Sequence, residues 1–156
     1  MIILPGKINN RNILYLQIGK DLGELETTNL TNWVVLVIED NINNPILETF
    51  ANSCIDKNVL YIHATGKACD EIEDLFDLEI ILRQVKGEKL PIWMISEDDV
   101  LMTSWDYNFE DAFWFITKAA YYGDNIINTV LVANLTDEDL LEKIQALIKK
   151  INFEGM

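Results

Sequence analysis

Residues 33–38 read Trp-Val-Val-Leu-Val-Ile, an unbroken run of six apolar residues. Such a run predicts a strand buried on both faces, because a strand with one solvated face would alternate apolar and polar side chains. Similar runs recur at 59–62, 91–95 and 129–133. Since amphipathic stretches separate these runs, the sequence predicts βαβ units, with the four strands at the centre of a parallel sheet.

Helix signals fill the segments between the predicted strands. Asn44-Pro45 supplies an N-cap and a first-turn proline for a helix after the first strand. Residues 67–85 carry apolar side chains three and four residues apart, which favours a helix, with a strand beginning at Leu78 as the alternative. Further helices are predicted over 108–122 and 140–151.

The N-terminal part of the chain fits this scheme less well. Residues 13–18 predict an extra strand at the edge of the sheet, whereas 21–31 have no clear period. The expected fold class is α/β: a single three-layer domain with a mainly parallel sheet of four to five strands and helices on both faces. Residues 1–31 are its irregular N-terminal region with the edge strand, and 32–152 form its βα core.

Acidic residues outnumber basic ones. The 156 residues include 26 Asp and Glu against 12 Lys and Arg, which gives a net charge of −14. This charge argues against binding to nucleic acid or to anionic membranes, because both depend largely on Lys and Arg. The chain has no predicted export signal and no apolar run of membrane-spanning length, and its two cysteines lack CxxC spacing. We therefore expect a cytoplasmic protein with both cysteines reduced.

Polar residues follow the predicted strands at their carboxyl ends, where ligands bind in open parallel sheets. Acids follow the strands at 33–38 and 91–95, and the only histidine follows the strand at 59–62. We expect five carboxylates and this histidine to share one edge of the sheet. The expected members are Glu39, Asp40, His63, Glu97, Asp98 and Asp99.

One hypothesis for this edge is a divalent metal site. Mg²⁺ prefers carboxylate and water oxygens, and the candidate ligands are Glu39, Asp40, Asp98 and Asp99. The alternative is that these loop acids are solvated and favour the N-termini of the following helices. No other cofactor is expected, since the sequence lacks a phosphate-binding loop and a nucleophile elbow. An enzyme is therefore less favoured than a binding protein.

Residues 90–117 concentrate acids and aromatic side chains and contain no Lys or Arg. Trp105, Asp106 and Tyr107 fall in the long predicted loop of this segment, and long loops often carry function. The leading hypothesis is a non-enzymatic module, similar in kind to immunity and inhibitor proteins, that presents these residues to a basic protein partner. The metal-dependent enzyme or phosphate-ligand sensor is one alternative, and a homodimer with the aromatic residues at its seam is the other.

The stretch Trp105-Asp106-Tyr107-Asn108-Phe109-Glu110-Asp111-Ala112-Phe113-Trp114-Phe115 resembles a segment found in an uncharacterised family of small acidic bacterial proteins. In that family a Trp is followed by His or Asp, and acids then lead into an Ala-x-Trp-Phe helix. The similarity extends over about 60 residues from Leu90 onward. Where the family has His after the Trp, this chain has Asp106. The resemblance implies a domain of unknown function from a bacterial cytosol and no particular mechanism.

Overall fold

The computed structural model describes residues 1–19 and 21–154. Within them a single sheet has six strands, β1 to β6. Their bounds are Ile2–Ile8, Arg11–Gln17, Trp33–Ile38, Tyr61–Thr65, Met102–Asp106 and Thr129–Asn134. Five α-helices, α1 to α5, span Gly23–Thr27, Ile46–Asp56, Cys69–Lys86, Phe109–Trp114 and Leu141–Glu154. A π-helical segment, the π-turn, continues α4 over Phe115–Ala119.

The order of the strands across the sheet is β1-β2-β6-β3-β4-β5. All neighbouring pairs are parallel except β1 with β2, which is antiparallel. The core of one face includes residues of α1, α2 and α3, and the core of the other includes α4, the π-turn and α5. The predicted α/β class with helices on both faces is therefore confirmed, with six strands in the sheet of the described residues.

The apolar run that predicted β3 lies near the centre of the sheet. Every residue of this strand is buried. Trp33, Val35 and Val37 belong to the core on the α2–α3 face, whereas Val34 and Leu36 belong to the core on the α5 face. Because both faces are covered by helices, the strand has no solvent side and needs no polar alternation.

The N-terminal region is more regular than its sequence indicates. The strand predicted at 13–18 is β2, which lies inside the sheet between β1 and β6 and is not an edge strand. The edge is β1, which reaches β2 through Asn9 and Asn10, both with positive φ. Paired left-handed residues are typical of the tight turns that match the twist of a hairpin. Pro5 and Gly6 lie within β1, and because both residues are unusual inside strands, the sequence did not predict it.

The prediction of a strand at 91–95 is wrong. These residues form a turn, with the Met94 N–H donating to the Pro91 carbonyl at 3.0 Å. The Trp93 indole donates to the Val59 carbonyl at 3.0 Å, whereas Ile95 is 88% exposed. The parallel strand next to β4 is instead β5, which has few apolar residues because it is an edge strand with a partly solvated surface.

The helix predictions are confirmed at all four places. The segment with two interpretations, 67–85, is helical and forms α3 over Cys69–Lys86. It ends at Gly87, whose φ of 68° is the left-handed conformation common after a helix C-terminus. No helix in residues 1–19 and 21–154 combines the length and apolar character needed to cross a bilayer.

Candidate functional site

The structure divides the expected acidic cluster between two edges of the sheet. Glu39 follows β3 and lies at the carboxyl edge, as does Asp106 at the end of β5. Residues 97–99 precede β5, which runs parallel to β4, so they lie at the opposite, amino edge. The expectation of one shared edge is therefore wrong. The four acids of the metal hypothesis, Glu39, Asp40, Asp98 and Asp99, do not come together.

Glu39 and Asp40 organise the loop after β3. Glu39 is 4% exposed, and its Oε1 accepts hydrogen bonds from the N–H groups of Asp40 and Asn41 at 2.8 and 3.1 Å. Its Oε2 accepts from the Asn44 amide at 2.7 Å. Asp40 Oδ1 accepts from the Lys67 N–H at 2.9 Å, which joins this loop to the turn after β4. Both carboxylates thus satisfy polar groups of the protein itself.

At the amino edge, Asp99 holds a surface turn together. Its Oδ2 accepts hydrogen bonds from the N–H groups of Ile95 and Ser96 at 2.8 and 2.9 Å. The hydrogen bonds from Ser96 and Ile95 lower the pKa of the Asp99 carboxyl, because they favour its charged form. Glu97 and Asp98 are exposed on the same turn.

His63 is the centre of a polar network between β4 and β5. The register pairs His63 with Ser104, and Ser104 Oγ lies 2.6 Å from His63 Nδ1. Asp106 Oδ2 lies 2.8 Å from the other ring nitrogen, Nε2. The Tyr61 hydroxyl lies 2.9 Å from Ser104 Oγ. Alternate residues of neighbouring strands share one face of a sheet, which is why these four side chains meet.

The hydrogen-bonding capacities of these groups assign a direction to the network. The His63 side chain is 2% exposed, and this burial lowers its pKa, although the hydrogen bond and charge of Asp106 act in the opposite direction. The neutral ring has one N–H, which donates to the Asp106 carboxylate because a carboxylate only accepts. Nδ1 is then an acceptor, so the Ser104 hydroxyl donates to it and the Tyr61 hydroxyl donates to Ser104.

The π-turn packs over this network. The Phe115 ring centroid lies 4.5 Å from that of His63 and 5.7 Å from that of Tyr61. Buried Arg11 donates to the carbonyls of Ile116, at 3.0 Å, and Ala120, which fixes the end of the π-turn. Short π-helical segments within α-helices occur frequently at functional sites.

A cleft opens beside the network at the end of the π-turn. Its volume is about 410 Å³, and we call it the Tyr61 cleft. The walls include Tyr61, Met102, Phe115, Tyr121 and Tyr122. A larger cleft of about 660 Å³ lies at the carboxyl edge beside the start of α2 and is lined by none of the four network residues. The Tyr61 cleft and the network thus share Tyr61.

A pair of exposed aromatic rings lies at the end of β5, formed by Trp105 on the face opposite Ser104 and by Tyr107, which follows the strand. Trp105 and Tyr107 are 40% and 61% exposed, and their ring centroids lie 4.9 Å apart with the rings edge to face. Thr103, on the same face, donates to Asp77 of α3 at 2.9 Å. This contact places the first half of α3 beside the aromatic pair.

The first half of α3 is strongly acidic. Residues 69–77 contain five acids and no Lys or Arg, and we call these five the α3 acids: Asp70, Glu71, Glu73, Asp74 and Asp77. Oxygen atoms of the last three lie within 4.8 Å of one another, close enough to ligate a cation. Burial and the charges of Asp77, Asp74 and Asp70 raise the pKa of Glu73. Asp70 also raises the pKa of the Tyr107 phenol, so its charge reaches the aromatic pair.

Sequence reasoning singled out His63, Trp105, Asp106 and Tyr107 but missed several of their neighbours. It did not place Ser104 or Tyr61 beside His63, and it did not select the α3 acids. The signal for the network is the two-residue spacing of Tyr61 and His63, repeated by Ser104 and Asp106. That spacing becomes informative only when β4 and β5 are known to be neighbours.

A family model, described as a domain of unknown function (DUF7684), matches residues 11–151. The matched range begins at β2 and ends within α5, so it includes the parallel part of the sheet, His63, β5 and α3. No curated protein and no solved structure matches the chain. The chain therefore belongs to the DUF7684 family.

Proposed function

We propose that this protein is a binding module that takes up an extended, basic segment of a partner protein along β5. The observation that carries the proposal is the combination of an open strand edge, an exposed aromatic pair and an acidic helix at one place. β5 supplies the edge, Trp105 and Tyr107 supply the rings, and the α3 acids supply the charge.

The two outermost strands of the sheet, β1 and β5, differ in a way that supports this proposal. β1 contains Pro5 and Lys7 and has an irregular register between Leu4 and Ile8. Proline, lysine and bulges are features that prevent an edge strand from pairing with another chain. β5 reads Met-Thr-Ser-Trp-Asp and has neither proline nor lysine. Of these two strands, only β5 therefore offers a regular backbone edge with which another strand can pair.

A strand that joins β5 gains two kinds of contact. Hydrogen bonds to the unpaired backbone groups of an edge strand supply affinity that does not depend on the partner's sequence. The Trp105–Tyr107 pair supplies a large, rigid contact surface, and Trp and Tyr are enriched among residues that dominate binding energies. The aromatic pair thus selects apolar side chains at alternate positions of the partner.

Charge determines which partner fits. The α3 acids flank the aromatic pair, and the whole chain carries a net charge of −14. An acidic surface steers a basic segment toward it and raises the association rate. A second copy of this chain would bring two sets of α3 acids together, so like-charge repulsion disfavours a β5–β5 dimer. A basic protein segment is therefore the proposed occupant.

The direct experiment is a calorimetric titration with a short peptide that alternates Arg and Val. We expect it to bind, and we expect Trp105→Ala to weaken binding by about tenfold, as for a central aromatic residue. Trp114→Ala is the matched control, because Trp114 is 42% exposed on α4, outside the proposed surface. We expect that variant to bind like the wild type.

Two further peptides separate the parts of the proposal. A peptide with Glu in place of Arg tests charge, and one with a central Pro tests strand pairing, because Pro lacks the N–H that the edge needs. Both should bind at least tenfold more weakly. Equal binding of all three peptides, or equal losses in Trp105→Ala and Trp114→Ala, would reject the proposal. A concentration-dependent dimer without peptide binding would favour self-association instead.

We also propose that this binding takes place in a bacterial cytoplasm. Cys54 and Cys69 are free and buried, as expected for thiols in a reducing compartment. The bacterial source rests on the resemblance of the Trp105–Phe115 segment alone.

A further inference from the structure

We propose that Ser104 is a nucleophile that hydrolyses small uncharged esters held in the Tyr61 cleft. In this proposal His63 is the general base, Tyr61 donates a hydrogen bond to the developing oxyanion, and Asp106 is a positioning residue. The activity is additional to the binding of a basic segment, and it uses the opposite face of β5 from the Trp105–Tyr107 pair.

The geometry meets the requirements for an activated serine. A nucleophile needs a base within hydrogen-bonding reach, about 2.6–3.2 Å, and the base needs a third group that orients it. Ser104 Oγ lies 2.6 Å from His63 Nδ1, and Asp106 Oδ2 lies 2.8 Å from His63 Nε2. Ser104 and Asp106 are two residues apart on one strand, so both face His63 on the neighbouring strand.

The surroundings of His63 suit a base that acts at neutral pH. The side chain is 2% exposed and lies against the Phe115 ring, whose centroid is 4.5 Å from its own. Burial lowers the pKa of His63, so the ring is neutral and able to accept a proton. Asp106 stabilises the imidazolium that forms during the reaction, because it is hydrogen-bonded to the opposite nitrogen.

Tyr61 connects the nucleophile with the cleft. Its side chain lines the cleft, and its hydroxyl lies 2.9 Å from Ser104 Oγ. When Oγ attacks a carbonyl carbon, the carbonyl oxygen becomes an alkoxide close to Oγ, within reach of the Tyr61 O–H group. A tyrosine hydroxyl is one of the donors that stabilise such an oxyanion.

The cleft indicates the class of substrate. Its walls include Met102, Phe115, Tyr121 and Tyr122, and no charged residue is among the described residues that line it. Aromatic walls of this kind bind apolar groups, and a volume of about 410 Å³ suits a small molecule. The proposed substrates are therefore uncharged esters with a short acyl chain and an aromatic or aliphatic alcohol.

The reaction balances with water as the second substrate. Ser104 Oγ bonds to the ester carbon while its proton moves to His63 Nδ1. The bond to the alcohol oxygen then breaks, and the leaving oxygen takes that proton from His63. A water molecule next gives a proton to His63 while its oxygen bonds to the acyl carbon. The bond between the acyl carbon and Ser104 Oγ then breaks, and His63 returns the proton to Ser104 Oγ. The products are one carboxylic acid and one alcohol.

The first test uses an alkyl fluorophosphonate, which forms an Oγ–phosphorus bond with an activated serine and releases fluoride. We expect the intact protein to gain one adduct, and peptide mapping to locate it at Ser104. Ser104→Ala should abolish labelling. Ser53→Ala is the matched control, because Ser53 is also a half-buried serine but lies on α2. That variant should label like the wild type.

Variants of the other residues test the proposed roles. His63→Gln should slow labelling at least about a hundredfold, the usual contribution of a general base. Tyr61→Phe should lower kcat for p-nitrophenyl acetate more than it changes KM, because the hydroxyl acts only on the transition state. Asp106→Asn should shift the pH profile of labelling, because the charge of Asp106 raises the pKa of His63. An unchanged pH profile in Asp106→Asn would overturn the proposed role of Asp106.

The proposal fails if the fluorophosphonate leaves Ser104 of the wild type unmodified at millimolar concentration. It also fails if His63→Gln keeps its melting temperature and labels at the wild-type rate. Should His63→Gln not fold, the wild-type pH profile replaces it, and a labelling rate that does not fall on acidification overturns the proposal. In the wild type, labelling of Ser104 without peptide binding, or peptide binding without labelling, distinguishes failure of the proposed function from failure of this inference.

Discussion

The Thr103 hydroxyl on β5 donates a hydrogen bond to Asp77 on α3 at 2.9 Å. This contact fixes the acidic half of α3 beside the open edge of the sheet, next to Trp105 and Tyr107. The proposed binding surface therefore depends on a tertiary contact between an edge strand and a helix.

Variants of Thr103 and Asp77 separate the contribution of their hydrogen bond to stability from the contribution of the Asp77 charge to peptide binding. Thr103→Val keeps the side-chain shape but removes the donor, so we expect the free energy of unfolding to fall by about 1 kcal/mol. Asp77→Asn keeps an acceptor for Thr103 and removes one charge, so it should weaken binding of the Arg-Val peptide with little loss of stability. Denaturant unfolding and calorimetry measure the two effects. Identical behaviour of the two variants would contradict this division.

The pKa of His63 is directly measurable, because the chain has only one histidine. Burial lowers this pKa from the ordinary value of 6.5, with Asp106 opposing the shift. NMR titration of the imidazole should therefore give a value below 6.5 for the wild type and a still lower value for Asp106→Asn. A value above 6.5 in the wild type would show that the Asp106 interaction outweighs burial.

The same shift predicts how stability depends on pH. Because the folded pKa is lower than the unfolded one, neutral His63 favours the folded state above pH 6.5. This contribution is lost as the pH falls from 6.5 through the folded pKa. The wild type should therefore lose more stability than His63→Gln over this interval, as measured by urea unfolding. Parallel curves for the two proteins would contradict the expectation.

Gly66 illustrates a backbone constraint at the carboxyl edge. Its φ is +105°, and a Cβ there would lie 2.3 Å from the Glu39 carbonyl oxygen. Gly66→Ala should destabilise the protein by about 2 kcal/mol or more, because it combines a steric overlap with an unfavourable backbone conformation. Gly87→Ala is the control, since Gly87 also has positive φ but a Cβ there would have open space for 4 Å around it. It should cost about 1 kcal/mol, the lower end of the cost of a left-handed backbone conformation for a residue with a Cβ, and thermal melting compares the two.

The interaction with a basic peptide should depend on salt. The α3 acids are at the surface, where ions screen charges beyond roughly 10 Å at 0.1 M salt. Raising NaCl from about 0.05 to about 0.5 M should lower the affinity severalfold, mainly through a slower association rate. Surface plasmon resonance separates the two rate constants. An affinity independent of salt would show that the α3 acids do not contribute.

The centre of the fold was predictable because its strands are buried on both faces. The runs at 33–38, 59–62 and 129–133 are apolar at nearly every position, and such runs leave few alternatives. The second run is only partly right, because β4 spans Tyr61–Thr65 and so contains His63, which was expected to follow the strand. The edges were not predictable in the same way. β5 mixes polar and aromatic residues because one of its edges is unpaired, and the more apolar segment 91–95 was assigned in its place.

The assignment of a strand to 91–95 in place of β5 explains most of the differences between the predicted and the observed site. With the strand at 91–95, the acids at 97–99 fall at the carboxyl edge, whereas β5 puts them at the amino edge. The His63 network was not predicted for the same reason, because Ser104 and Asp106 face His63 only when β5 pairs with β4 in the observed register. Trp105 and Tyr107 were found because their chemistry is unusual irrespective of secondary structure.

The most direct test of the binding proposal is a two-dimensional NMR titration of the ¹⁵N-labelled protein with the Arg-Val peptide. We expect the largest shift changes at the amides of β5 and of residues 69–77, together with slower hydrogen exchange of β5 amides. At the same concentration, the peptide that contains a central Pro should cause much smaller changes. No shift changes at millimolar peptide, or changes centred on β1 or on the cleft beside α2, would contradict the account.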